Sequence, residues 1–260
     1  MANESKIRGE SRSRSKPTPG AQGEQINVRV SQYGEVYSRP VDRHALAEEG
    51  SYFVAHNTTN DASTTLAGHA APVLADADAT LTKPFVFVRV PNAATKLLQL
   101  DFIEIEVVTA GALGTQACWA AQIDTGATRW SSGGTALTIV NPNMQSAETS
   151  VLSGQDNHLL GGAVVAGAES ASCRVLGFGT LRPSIEIAGD IKMFTFGRDP
   201  AIVGTQAGQA AASIRTSVVA LPPVLLGATD CFLLALHGQA SQNAAGVYKL
   251  RMGWSERTAT

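Results

Sequence analysis

The chain has 260 residues and a formal net charge of −2, enough for one large β domain with an arm or for two small domains. Only 16% of it is charged, against about 25% in an average soluble domain, and 39 alanines and 25 glycines fill much of the remainder. No apolar stretch approaches the ~20 residues a membrane span needs, and the acidic remainder beyond residue 16 excludes a body that binds nucleic acid by charge alone.

Residues 1–16 hold five bases, Lys6, Arg8, Arg12, Arg14 and Lys16, against Glu4 and Glu10, a net of +3, which leaves −5 on the rest. Residues 1–32 are dominated by Ser, Arg, Gly, Pro and Gln, with almost nothing to bury before residues 26–30. A disordered basic arm is expected there, with its five bases as assembly contacts. The run Arg12-Ser13-Arg14-Ser15 suits an acidic surface or RNA, or simply a solvated tail. The polar, basic start carries no secretory leader pattern. Cys118, Cys173 and Cys231 each lie in an apolar run, so buried reduced thiols are expected.

From Tyr33 onward the chain reads as strands in a single domain, residues 33–260. Residues 33–38 (YGEVYS) and 51–55 (SYFVA) are short and aromatic, and 57–72 is a polar loop. Residues 84–91 (PFVFVRVP) are bounded by prolines and rich in β-branched and aromatic side chains, as a strand is. Along 97–108, Leu98, Leu100 and Phe102 alternate, and then Ile103, Ile105 and Val107 alternate in the opposite phase. One inserted residue shifts the phase in this way, so a β-bulge is expected at Phe102–Ile103. Further strands are expected at 116–124, 135–140, 172–178, 184–188, 191–196, 215–221, 231–237 and 247–254, and short helices at 42–49 and 206–213. In 247–254 (VYKLRMGW), Tyr248, Leu250, Met252 and Trp254 share one face, and Lys249 and Arg251 the other, as in a closing strand with one dry and one wet face. About ten strands without a βαβ rhythm predict an all-β, jelly-roll-like sandwich.

One motif points to chemistry. Residues 123–128 (IDTGAT) resemble the aspartic-protease signature, in which paired carboxylates share a proton and activate water. A single Asp-Thr-Gly makes a dimeric site compulsory, with Asp124 from each subunit. Asp and Gly at a strand end are also ordinary turn chemistry, and that reading is preferred. His44, His56, His69, His158 and His237 lack zinc spacing, and no phosphate-cradling or nucleophile-elbow motif occurs. The reading is a non-enzyme with no catalytic residues, no cofactor and no metal. Trp119, Trp130 and Trp254 are read as core or interface anchors.

Three segments are considered together: 34–40 (GEVYSRP); 50–57 (GSYFVAHN), with the Thr-rich loop and 67–72 (AGHAAP) after it; and 221–227 (LPPVLLG) with 253–257 (GWSER). Together, over roughly residues 33–257, they resemble virion structural proteins of tailed bacteriophages, of the minor-capsid or decoration (cement) kind. That resemblance implies a jelly-roll body with an N-terminal arm, a place on the particle, and the major capsid protein or other virion proteins as partners. It also implies a homo-oligomer, with a trimer favoured, and neither nucleic acid nor membrane as a partner. The chain would be made in the host bacterial cytoplasm and end in the virion. A tail- or fibre-associated adhesin is the alternative. Pro222 and Pro223 fit an edge strand, since proline cannot donate to a ladder.

Overall fold

The computed structural model describes residues 43–57, 65–69, 82–110, 117–125, 129–154, 157–182, 186–197, 216–238 and 246–258. The basic arm, the strand expected at 33–38 and the helix expected at 206–213 lie outside them.

The described chain opens with α1 (Arg43–Glu48), β1 (Tyr52–His56), β2 (Leu66–Ala67), β3 (Val86–Arg89), β4 (Lys96–Thr109) and β5 (Ala117–Thr125). It continues with β6 (Trp130–Ala136), β7 (Thr138–Val140), β8 (Leu159–Ala166), β9 (Arg174–Arg182) and β10 (Ile191–Phe196). It ends with β11 (Thr216–Leu221), β12 (Leu225–Leu226), β13 (Asp230–Gly238) and β14 (Val247–Thr258). One sheet runs β11-β10-β4-β14-β1-β7 and the other β6-β8-β3-β13-β5-β9. The chain is all-β, and the two sheets stack as a sandwich.

Eight of these strands make the jelly roll. Taken in chain order they are β1, β3, β4, β5, β9, β10, β13 and β14. The first, eighth, third and sixth lie side by side in one sheet, and the second, seventh, fourth and fifth in the other. Every pairing among these neighbours is antiparallel. This is the order two interleaved Greek keys produce. Residues 126–173, between β5 and β9, are an insertion that adds β7 beside β1 and the β6–β8 hairpin beside β3.

The inner faces meet in one core containing Phe53, Phe85, Leu98, Ile103, Phe194, Phe232 and Trp254. Trp119 meets Phe194 edge-on at 5.7 Å, and Phe196 meets Phe232 at 5.4 Å, tying β5 and β13 of one sheet to β10 of the other. Each such side chain contributes about 1.5–3 kcal/mol on burial. β14 behaves as its alternation predicts: Tyr248, Leu250, Met252 and Trp254 are buried. Outside, Arg251 pairs with Glu104 at 2.8 Å and Lys249 with Glu106 at 3.6 Å, so this sheet has one wet face.

The other sheet departs from the expected wet face. Phe87, Cys231, Leu233, Ala235 and Ala120 point outward from β3, β13 and β5. They are nevertheless buried in a second cluster with Leu160, Val164, Ala166 and Trp130 of the β6–β8 hairpin. The insertion covers this face, which is why the sequences of β3 and β13 are almost continuously apolar.

The bulge lies one position earlier than the alternation implies. Gly253 pairs with Phe102 and Trp254 with Leu100, so the bulged residue is Asp101, not Phe102–Ile103. Its carboxylate has partners off the ladder, accepting from Tyr52 Oη at 2.7 Å and from Arg43 Nη2 at 3.0 Å. Opposite the bulge, a Cβ on Gly253 would lie 2.4 Å from Tyr52 Oη and 2.5 Å from Phe102 Cε1. Gly253→Ala is therefore expected to cost about 1–3 kcal/mol through overpacking. Denaturant unfolding checks this, and an unchanged midpoint would show that the two rings yield freely.

Three other expectations are corrected. The strand expected at 135–140 is two, β6 and β7, because the chain changes sheets at the buried Leu137, whose amide donates to Leu159 O at 3.2 Å. The strand expected at 172–178 is β9, which runs on to Arg182; of the strand expected at 184–188, residues 184–185 lie outside the described residues and 186–188 are not strand. Residues 187–190 form a turn in which the Asp190 carboxylate accepts from the Ile187 amide at 3.0 Å. β8 was not expected at all. Among the described residues, fourteen strands stand where about ten were anticipated.

Candidate functional site

Asp124 is the one sequence-predicted chemical residue within the described chain. Gly126 and the five arm bases Lys6, Arg8, Arg12, Arg14 and Lys16 lie outside it. Asp124 is not a turn residue: it occupies the penultimate position of β5, paired across to Cys231 of β13. Its side chain points outward with those of Ala120 and Gln122, beneath the insertion.

There it meets Arg129, a residue that no motif or spacing singles out. The Arg129 Nε and Asp124 Oδ2 lie 3.1 Å apart, with side chains 1% and 0% exposed. The guanidinium also donates to Gln122 Oε1 at 3.1 Å and to the Gly167 carbonyl, and Glu169 lies 3.6 Å away. Gln122 Nε2 in turn donates to Glu169 at 2.8 Å. Asp124 Oδ1 accepts from the Thr125 amide at 2.7 Å and from the Ser170 hydroxyl, and Oδ2 accepts from the Ser170 amide at 3.1 Å. Both carboxylate oxygens are thus engaged, with a guanidinium against them. The chemistry of this arrangement is that of a fixed buried anion clasping the two ends of the insertion, residues 129 and 167–170, to β5.

The thiols beside it are subdued. Burial, reinforced by the Asp124 charge, pushes Cys231 up to about 12, and its Sγ donates to Asp124 O at 3.5 Å. Burial, with Glu169 and Asp124 nearby, pushes Cys173 up to about 11. Cys118 and Cys231 are buried as expected, but Cys173 is half-exposed, a correction to the reading of three buried thiols. A half-exposed thiol with a pKa near 11 is only about a thousandth thiolate at pH 8. Iodoacetamide should therefore label the native protein slowly, at Cys173 first, and the rate should climb steeply with pH between 8 and 11. Rapid labelling at neutral pH would contradict this environment.

The surface offers a different kind of site. Phe178 is 73% exposed and Val175 48%, both on β9, which among the described residues pairs only with β5, at one end of its sheet. Met144 is 98% exposed and Val140 42%, on and just after β7, the edge strand beside β1 in the other sheet. β11 packs against β9 on one flank of the sandwich, so the β7 and β9 edges lie on opposite flanks. Asn141 donates to Gly50 O at 3.0 Å and Asn143 to Glu48 O at 3.1 Å, fastening the Met144 loop to the end of α1. Sequence reading missed both patches. Phe178 lies in a Gly-rich strand, and Met144 in a polar loop; neither position shows its exposure in the sequence. Among the described residues, no cluster of His, Cys, Asp and Glu is arranged to hold a metal ion, and no helix is long and apolar enough to cross a membrane.

No protein-family model matches the chain, and no curated protein matches it. Among solved structures, a chain of the unassembled KI polyomavirus VP1 pentamer aligns over 86% of this chain and 99% of its own, at 10% identity and a TM-score of 0.26. That score is too low to carry the fold assignment, which rests on the strand pairings described above.

Proposed function

We propose that this chain is a structural component of a tailed-phage particle, a capsid decoration or minor capsid protein that acts by binding and performs no turnover. The observation that carries the reading is a jelly-roll body with large apolar side chains exposed on both flanks, Phe178 and Val175 on one and Met144 and Val140 on the other. Phe and Met side chains are enriched at the contact surfaces of proteins. The sequence resemblance to phage virion proteins and the low charge support the same reading. A jelly roll alone does not define function, since lectins and cupins share it.

Asp124 fits this reading better than the protease alternative. An aspartic protease needs two carboxylates free to share a proton, whereas both oxygens of Asp124 are occupied and Arg129 neutralises it. The partners in this proposal are the major capsid protein and further copies of the chain, with a trimer as the favoured oligomer.

A reconstruction of purified particles tests the reading. Hundreds of copies on the shell support decoration, a few to dozens at the tail support the adhesin alternative, and none in the particle refutes both. Binding to shells tests the role of the arm. Full-length protein is expected to bind expanded shells more tightly than a deletion of residues 1–32, because a linked second contact raises effective concentration. The gap should narrow at high salt, since exposed charges are screened beyond about 10 Å already at 0.1 M. Equal binding by both forms would make the arm dispensable.

A further inference from the structure

His158 immediately precedes β8, the strand that joins the β6–β8 hairpin to β3. The seam between β3 and β8 is short. Val86, Phe87 and Val88 pair with Gly161, Leu160 and Leu159, and the Arg89 amide extends the ladder by donating to the His158 carbonyl at 2.7 Å. The buried His158 ring engages Arg89 through both of its nitrogens. Nδ1 lies 2.8 Å from the Arg89 carbonyl oxygen, and Nε2 lies 2.9 Å from Arg89 Nη2. A carbonyl only accepts and a guanidinium only donates, so Nδ1 carries the proton and Nε2 offers its lone pair. This geometry admits only the neutral ring. A second proton, on Nε2, would aim an N–H at the N–H of a cation. Burial, together with the Arg89 charge, lowers the His158 pKa from 6.5 against the opposing pull of the Arg89 carbonyl.

We propose that His158 is an acid-sensitive latch on the insertion: neutral, it holds the start of β8 to the end of β3, and protonated, it releases Arg89 and the seam opens. Leu160 and Phe87, which meet in the second apolar cluster, are uncovered first. Among the described residues, Arg89 is the charged group that faces the ring. β2 and β6 bring no titratable side chain to the seam. On the far side of β3, Cys231 stands level with Arg89, and Asp124 with Cys231. Cys231 is uncharged, its thiol pushed up to about 12, and Asp124 is held by Arg129. The Asp230 carboxylate accepts from the Gly227 amide at 2.8 Å, and Glu148, in the loop before β8, pairs with Lys96 at 3.0 Å. Asp156 lies outside the described residues. Burial, with the Lys83 charge, also lowers the pKa of His69, near the other end of the seam. Its Nε2, however, donates to the Pro84 carbonyl at 3.2 Å, an acceptor that a protonated ring keeps.

Once released, the ring regains its ordinary value of 6.5. The latched state is therefore fully favoured above pH 6.5 and loses ground as pH falls below it. The opened fraction grows by up to about tenfold per pH unit in that range, until the pH passes the value of the latched ring. The latch is a property of the isolated chain, whether or not the chain belongs to a particle.

Two measurements on the full chain test it. Nitrogen NMR of the histidine rings should find His158 as the Nδ1–H tautomer, titrating below 6.5. Hydrogen exchange, corrected for its intrinsic pH dependence, should find protection of the Arg89 amide falling between pH 7 and pH 5 relative to the β5–β13 centre. Two variants assign the response. His158→Asn keeps a donor near the Nδ1 position and cannot be protonated, so the acid response at Arg89 should vanish. Arg89→Met removes the guanidinium, so the His158 titration should move up toward 6.5. An Nε2–H tautomer, a titration at or above 6.5, or protection unchanged between pH 7 and pH 5 each overturns the latch. So does an acid response that His158→Asn retains in full, which would assign it to another group such as His69.

Discussion

Asp124→Ala is expected to be among the most damaging substitutions in the molecule, lowering stability by about 3–5 kcal/mol. The reason is what remains behind. Arg129, 1% exposed, would lose its closest counter-charge while still shut under the insertion, with Glu169 as its nearest remaining carboxylate at 3.6 Å. The Ser170 and Thr125 amides would lose their acceptor as well. A buried ion pair adds little over an apolar pair of the same shape, but half of one is costly. The double variant Asp124→Ala with Arg129→Met should therefore recover much of the loss. Urea unfolding of parent, single and double variants measures this. A single-variant loss below about 1 kcal/mol would show that water reaches Arg129 readily and that the clasp is unimportant. Asp124→Asn, which keeps the shape, should fold with a smaller loss. If acid-optimum proteolysis were present in the parent and vanished in this variant, the protease alternative would replace the structural one.

Glu256→Ala should weaken a second clasp, in the other sheet of the sandwich. Glu256, on β14, is buried and accepts from Trp254 Nε1 at 3.0 Å, from the Val151 amide at 3.0 and 3.1 Å, and from the Ser150 hydroxyl. It joins the closing strand of the jelly roll to the loop that leads from β7 to β8. Removing the carboxylate strands three donors, each worth about 1–3 kcal/mol when left unsatisfied. A total loss of roughly 3 kcal/mol or more is expected, with allowance for partial rescue by water. Hydrogen exchange should localise it: protection at Val151 and Leu152 should fall far more than at the β5–β13 centre. Uniform loss of protection would mean that Glu256 supports the whole body and not this junction.

The two clasps share a physical logic. The insertion adds one strand to one sheet and a hairpin to the other, but its own sequence is poor in large apolar residues; β6 is WSSGGTA. Charge-assisted hydrogen bonds at its ends supply attachment that burial alone would not.

The sequence by itself determined the elements that depend on local pattern. Proline-bounded FVFVRV could only be a strand, and the alternation in VYKLRMGW correctly assigned each side chain of β14 to its face. The phase change in β4 announced a bulge, because side chains on a strand repeat every two residues and an extra residue inverts every later one. These are properties of the backbone geometry of a single strand. Tertiary structure alone decided which strands are neighbours, and therefore the bulged position, the covered outer face and the site. Asp124 and Arg129 are five residues apart, yet their pairing depends on Gly167–Ser170, which the chain brings back only after the β6–β8 hairpin. β8, with Gly161 and Gly162 at its centre, has no strand-like alternation; it is held by β3 on one side and β6 on the other. Phe178 is exposed because β9 is last in its sheet, a position set by the order of strands and not by its own residues. Non-local pairing leaves no periodic mark on the chain, so what depends on it becomes visible only when the sheets are assembled.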